Sequence, residues 1–465
     1  MTASSTTKPK GQVPSQWPPE VGEIYDSVRE LGRGGFASVM LARKKAAATN
    51  GQEKDGLVAM KVVGGKYPTR QEVGYAHREI DILRELRHPN IMYLVAAWEP
   101  PRESHTCAAV MALSYAKGPT LESLLKTGGK LSLHFARVVT AQLVDAITYL
   151  HSRAVIHRDI KPDNLIITGA TKDQGEIWDD DPNDTKNPDW ETLLKKWHVT
   201  LVDFGFARAL TPADMKKKLP PQTASKANMD SSLCSLGSSG TSKSRRGSAL
   251  NRSMSRRFTR KMSAVGTRKY AAPEVTTNIE TNLDLDLENN NSKHLNVDVT
   301  KTLSDHVSYY GLLVDAYSVG NNIKYMLTGV PPDEDVNEAI AAQNHPVAKL
   351  GRFLGKKMGK KAKPDAVKQR KIKYRPFSKI PPEVVRLIKG CTHFDPHQRT
   401  SIRMARMYPW IDDVLEGRDL PDSRQVTYLN FVIQAKDEVK GSSLAALQEP
   451  EPLQDDEVES EGITF

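Results

Sequence analysis

The sequence predicts an α+β protein in which a small antiparallel-sheet lobe with one helix precedes a larger, mainly helical lobe. Three observations predict it. Residues 25–43, YDSVRELGRGGFASVMLAR, alternate with the period of a strand around a glycine cluster. Tyr75 to Arg87 has helical apolar spacing at Ile80, Leu83 and Leu86, and His88-Pro89-Asn90 stops it. Leu133 to Ser152 is a second, longer apolar helix. Strands with one helix, followed by a helical half, is the order of two packed lobes.

Along the chain, residues 1–22 read as a disordered leader, Ser/Thr-rich, with no acid before Glu20 and no apolar core for secretion. Lys45 to Gly56 is polar and small, the loop of a hairpin that ends in the strand Leu57–Val63. Insertions are expected near 168–197, acidic at Trp178-Asp179-Asp180-Asp181, near 211–264, rich in Ser and Arg, and near 278–306, rich in Asn and Asp. Lys349 to Arg375, in a further insertion near 340–375, carries twelve Lys/Arg against one acid, Asp365. Residues 414–465 thin into an acidic tail. Loops this long are uncommon inside a compact domain, so they are regulatory or padding.

Composition narrows the class. The 465 residues carry a net charge of +10, but short basic segments hold much of the excess, so no specific nucleic acid is expected. No run of eighteen apolar residues exists, which predicts no membrane span. Cys107, Cys234 and Cys391 are isolated, which fits a reducing, intracellular setting, cytoplasmic and/or nuclear, without a disulfide framework or zinc site.

The chemistry sits in short motifs. Gly32-Arg33-Gly34-Gly35-Phe36-Ala37-Ser38-Val39 lets backbone amides approach phosphate oxygens that a side chain would hold away. Val58-Ala59-Met60-Lys61 is a strand that can set one ammonium over phosphates, and Glu79, eighteen residues on, can hold it in position. His157-Arg158-Asp159-Ile160-Lys161-Pro162-Asp163-Asn164 supplies a carboxylate for a hydroxyl proton, a Lys for the moving phosphoryl group and an amide oxygen for a metal. Leu201-Val202-Asp203-Phe204-Gly205 is an apolar strand ending in a carboxylate that can ligate Mg²⁺, and Gly266-Thr267 through Pro273-Glu274 follows an insertion. Six such segments in this order do not arise by chance.

From roughly Glu23 to Asp413 these segments resemble the eukaryotic protein kinase family, serine/threonine type. The resemblance implies a bilobal domain over 23–413, with an N-lobe at 23–113, a hinge at 114–118 and a C-lobe at 119–413. It implies ATP and Mg²⁺ as cofactors and protein Ser/Thr hydroxyls as acceptors. Lys61 becomes the ligand of the α/β-phosphates, aligned by Glu79. Asp159 becomes the base with Lys161 beside the γ-phosphate, and Asn164 and Asp203 become metal ligands. Gly32, Gly34, Ala37 and Val39 would cover the nucleotide. Ala59, Leu113, Ser114, Tyr115, Ala116 and Ile166 would enclose adenine. Asp315 resembles the family's buried Asp, and Arg399 the partner of Glu274. Leu83, Leu94, His157 and Phe204 match the family's hydrophobic stack, and ordinary core explains them equally well.

Departures are Ala37 for the third glycine, Tyr317 for the usual Trp, and Thr120 where an acid is common, which weakens any Arg-directed preference. The alternative function is an inactive pseudokinase scaffold. Two regulatory expectations remain. Lys349 to Arg375 reads as a solvated loop, or as a nuclear-import or anionic-surface contact through Lys356-Lys357 and Lys360-Lys361. Ser248, Thr259 and Ser263 follow basic residues, so an upstream kinase is a possible partner. A phosphate on Thr259 or Ser263 could pair with Arg158 and order the activation segment from Phe204 and Gly205 to Thr267 and Glu274. The other reading is a flexible linker modified without consequence.

Overall fold

Period-two alternation decides how the first half is built. The computed structural model describes residues 17–35, 37–45, 56–65, 68–100, 107–180, 188–211, 269–275, 311–344 and 371–416. The chain divides into two compact units, residues 1–80, 93–115 and 433–465, and residues 81–92 with 116–432.

The first unit holds β1 (Tyr25–Arg33), β2 (Ala37–Lys44), β3 (Leu57–Val63), β4 (Leu94–Trp98) and β5 (Ala109–Ser114), hydrogen-bonded in the order β1-β2-β3-β5-β4. All pairs are antiparallel. Val39 stands opposite Lys61, and Lys61 opposite Met111. Opposed residues share a face, so the register sorts the side chains. One face carries Met40, Met60, Val62, Val110 and Ala112, packed with Trp17, Val21 and Tyr25 into one apolar cluster. The other face receives Val39, Ala59, Lys61 and Leu113.

Order begins earlier than Glu23. Helix α1 (Pro19–Ile24) starts with a proline at its first position, and Trp17 and Val21 are buried. The Tyr25 and Trp98 rings meet edge-on at 5.9 Å. Trp17 and Val21, inside the expected leader, are thus part of the sheet's core. Helix α2 (Arg70–Glu85) likewise begins five residues before the Tyr75 expected from its apolar spacing. A reciprocal cap at Thr69 and Glu72 accounts for the extra turn. Thr69 donates to Glu72 Oε2 from its amide at 2.7 Å and its hydroxyl at 2.8 Å, and the Glu72 amide donates to Thr69 Oγ1 at 3.2 Å. Thr69→Ala is expected to lower stability by about 1 kcal/mol, measured by urea denaturation.

The second unit centres on α4 (Leu133–Ser152), whose bounds match the apolar run and whose Ser132 cap accepts from the Phe135 amide at 3.3 Å. It is preceded by α3 (Leu121–Gly128) and followed by the pairs β6 (Val155–Ile156) with β9 (Arg208–Ala209), and β7 (Leu165–Thr168) with β8 (His198–Leu201). The remaining helices are α5 (Trp190–Lys196), α6 (Leu313–Thr328), α7 (Val336–Asn344), α8 (Pro382–Cys391), α9 (Ile402–Arg406) and α10 (Pro409–Asp412). Helices α5, α6, α9 and α10 all pack on α4.

The acidic insertion is not structureless. Trp178 and Trp197 are buried, and the Trp197 ring meets Phe135 at 4.8 Å. Asp180 binds Lys130 at 2.6 Å and Arg375 at 2.7 Å, while Asp179 binds Lys373 at 2.8 Å. The end of the basic stretch is therefore packed, against its reading as a solvated loop, with Arg375 only 4% exposed. Lys373 also trades backbone hydrogen bonds with Gly128 and Lys130 at 2.9 and 2.7 Å. Gly129, at φ +78°, is required there, since a Cβ would collide with the Lys373 carbonyl. Residues 345–370, and nearly all of the 211–264 and 278–306 insertions, lie outside the described residues.

Candidate active site

Lys61 and Glu79 form the charged centre of the first unit. Lys61 Nζ donates to Glu79 Oε1 at 2.7 Å and Oε2 at 2.9 Å, and both side chains are at most 10% exposed. Each charge compensates the burial of the other, so the ammonium is held at one point on the sheet face it shares with Val39 and Ala59. At the β1–β2 turn the Gly34 amide donates to the Ala37 carbonyl at 2.8 Å. A Cβ on Gly32 or Gly35 would meet no atom of the described residues within 4 Å, so among these residues the turn leaves space where an anion can approach the backbone. Leu113 is buried at the end of β5, and the Ser114 amide donates to the Tyr93 carbonyl at 2.9 Å.

The second unit gathers the other reactive groups on one loop. Asp159, 3% exposed, accepts from Lys161 Nζ at 2.7 Å and Asn164 Nδ2 at 3.0 Å through Oδ2. The turn Pro162–Asn164 that makes this possible is 3-10, with Asn164 Nδ2 also donating to the Asp159 carbonyl at 2.9 Å. Asp203 is tied to the same loop, because the Val202 amide donates to the Asn164 carbonyl at 3.0 Å. Ile166, on β7, is half-buried and bridges Thr120.

Backbone strain concentrates here. Arg158 (φ +68°) and Asp203 (φ +65°) adopt the left-handed region that non-glycine residues avoid. Tertiary bonds hold both. Asp315 is wholly buried and accepts from the His157 and Arg158 amides, each at 2.9 Å, and contacts His151 Nε2 at 3.0 Å. Burial pushes its carboxyl up, but the His151 hydrogen bond and the nearby histidines leave it below the usual carboxylate value. The Gly205 amide donates to Asp203 Oδ1 at 3.3 Å. His157 and Phe204 stack edge-on at 4.8 Å, and burial lowers the His157 pKa. Leu83 and Leu94 are also buried.

Arg399 and Glu274 meet as expected, in a bidentate pair at 2.6 and 2.8 Å. Asn322 was not foreseen: its Nδ2 donates to the Ile160 carbonyl at 3.2 Å from α6, a second strut, beside Asp315, under the loop that carries Asp159. Only its spacing of seven residues from Asp315, two helical turns, signalled that the two share a face. Arg158 Nε donates to the Phe206 carbonyl at 2.6 Å, so this Arg already ties the chain beyond Gly205 to the loop. Thr259, Ser263 and Thr267 lie outside the described residues.

The donor set suits a hard cation. Asn164 and Asp203 offer one amide oxygen and one carboxylate, the sparse oxygen set that Mg²⁺ accepts while keeping phosphate and water in its shell.

Residues 25–223 match the family model described as protein kinase domain. Over 193 residues the chain is 32% identical to serine/threonine-protein kinase 36 of Pongo abelii, covering 42% of this chain and 12% of that protein. Over 215 residues it is 28% identical to 3-phosphoinositide-dependent protein kinase 1 of Rattus norvegicus, covering 45% and 32%. Over 144 residues it is 36% identical to CBL-interacting protein kinase 11 of Oryza sativa subsp. japonica, covering 31% and 26%. The chain thus spans a third or less of the length of each of these relatives.

Proposed function

We propose that this chain, whose residues 25–223 match the protein kinase domain model, is an ATP-dependent serine/threonine kinase that phosphorylates protein substrates. The observation that carries the proposal is that each unit builds its own part of the set, the buried Lys61–Glu79 pair in the first and the Asp159–Lys161–Asn164 cluster in the second. Phosphoryl transfer needs alignment and charge neutralisation more than covalent help. Lys61 takes the α/β-phosphates and is kept from swinging away by Glu79. Asp159 orients the acceptor hydroxyl and receives its proton at Oδ2 or Oδ1, while Lys161 offsets charge on the γ-phosphate. Asn164 and Asp203 would hold Mg²⁺, which neutralises the phosphate oxygens when bound. Lys161 together with Thr267 favours Ser/Thr over Tyr acceptors, by the family resemblance.

Three isolated cysteines without CxxC spacing support an intracellular setting, cytoplasmic and/or nuclear. Among the described residues no helix is long and apolar enough to cross a membrane. An upstream kinase acting on Thr259 or Ser263 is the regulatory partner the sequence favours.

The test is incubation of the purified chain with radiolabelled ATP, Mg²⁺ and generic basic proteins. Label on Ser and Thr, with turnover on the order of 1–100 s⁻¹ on a good substrate, is expected. Nucleotide binding without transfer to itself or to any substrate would identify an inactive scaffold instead.

A further inference from the structure

Helix α9 presents an apolar face that the fold leaves in water. Met404 and Met407 are 60% and 62% exposed, and they stand three residues apart on α9 and its C-cap, hence on one side of it. The opposite side, Ile402 and Ala405, is buried where α9 meets α4, α6 and α8. Single exposed apolar residues are ordinary, but paired methionines make a surface that adapts to a partner's shape.

The chain supplies its own candidate partner. Forty-nine residues follow Glu416, and most of them are polar, with acids clustered between Glu449 and Glu461. Within them residues 426–432, VTYLNFV, hold five apolar side chains, two of them aromatic, and no charge. Val414 and Leu415 are buried, so the chain is still held against the second unit where the tail departs. Nine residues separate Glu416 from Val426, a reach of up to about 35 Å. Met407 itself precedes Glu416 by only nine residues, and the α10 turn lies between them. The run can therefore return to α9 without strain.

We propose that residues 426–432 dock on the Met404–Met407 face of α9, so that the tail's apolar run and the helix's exposed methionines cover each other. This intramolecular contact stands apart from catalysis. It makes residues 426–432 part of the second unit's surface.

Cross-linking in the full chain tests it. In a Cys234→Ser background, Met404→Cys is paired with Leu429→Cys, or with Ser460→Cys as a control far down the tail. Mild oxidation is expected to join Met404→Cys to Leu429→Cys within one chain, at least about five-fold faster than the control pair. Equal rates would overturn the proposal, and so would a link formed between chains, which would make a second copy the occupant. Peroxide oxidation gives an independent reading. Met404 and Met407 should be oxidised about five-fold more slowly in the wild-type chain than after Leu429→Ser with Phe431→Ser. No difference between the two would also refute it.

Discussion

Asp159→Asn is expected to lower kcat by about 10²–10³-fold while the protein stays folded. The substitution keeps the side chain's shape and one oxygen able to accept from Asn164 Nδ2, now 3.0 Å away. It removes the charge that Lys161 Nζ meets at 2.7 Å and the basic site for the hydroxyl proton. The KM for ATP should change little, because the α/β-phosphates are assigned to Lys61. Asp203→Ala should lose a similar factor by a different route, with a raised requirement for Mg²⁺. Lys61→Met should also nearly abolish transfer. It leaves Glu79, 3% exposed, as a buried charge without its ammonium, so a fall in Tm should accompany it. Steady-state kinetics and thermal melts on all three variants check the assignment. Retention of more than about a tenth of the wild-type rate in all three would remove these residues from catalysis.

The parts of this molecule that were legible in the sequence are those whose partners are local. Strand Leu57–Val63 and helix Leu133–Ser152 have the bounds their patterns imply, because alternation and a 3.6-residue apolar period act within each segment. The loop from Asp159 to Asn164 was legible because the residues proposed to carry the chemistry, Asp159, Lys161 and Asn164, lie within six residues and close on one another. Helix starts were harder. Arg70 to Gly74 lacks apolar periodicity, yet Thr69 and Glu72 set the helix going through hydrogen bonds that a hydrophobic pattern does not record. Trp17 and Val21 sit in a polar, proline-rich stretch whose composition hides two core residues. The packing of Asp179 and Asp180 on Lys373 and Arg375 was hidden for a further reason. Composition reports charge but not what the charge meets, and Asp180 meets Arg375 across 195 residues of sequence.

That contact sets the second large effect. Arg375→Ala is expected to destabilise the protein by about 2–4 kcal/mol, measured by urea denaturation near pH 7. Arg375 reaches both oxygens of Asp180 at 2.7 Å and the Leu327 carbonyl at 2.9 Å, so the substitution strips a buried carbonyl and a carboxylate at once. The loss should stay below that of a fully buried pair, because the Asp180 side chain is 38% exposed and keeps Lys130 at 2.6 Å. Burial raises the Asp180 pKa, but hydrogen bonds from Lys130 and Arg375 more than reverse this and hold it below 3.8. A carboxyl depressed on folding contributes stability that is fully present above its unfolded value and is lost as pH falls through the folded one. The gap between wild type and Arg375→Ala should therefore persist at neutral pH and shrink only below the ordinary Asp value of 3.8. Asp180→Asn should cost less at pH 7, because the amide oxygen still accepts one bond from Arg375, and its cost should likewise fade in acid. A gap that stayed constant down to about pH 3 would show that packing of Arg375, not its pairing with Asp180, holds the two segments together.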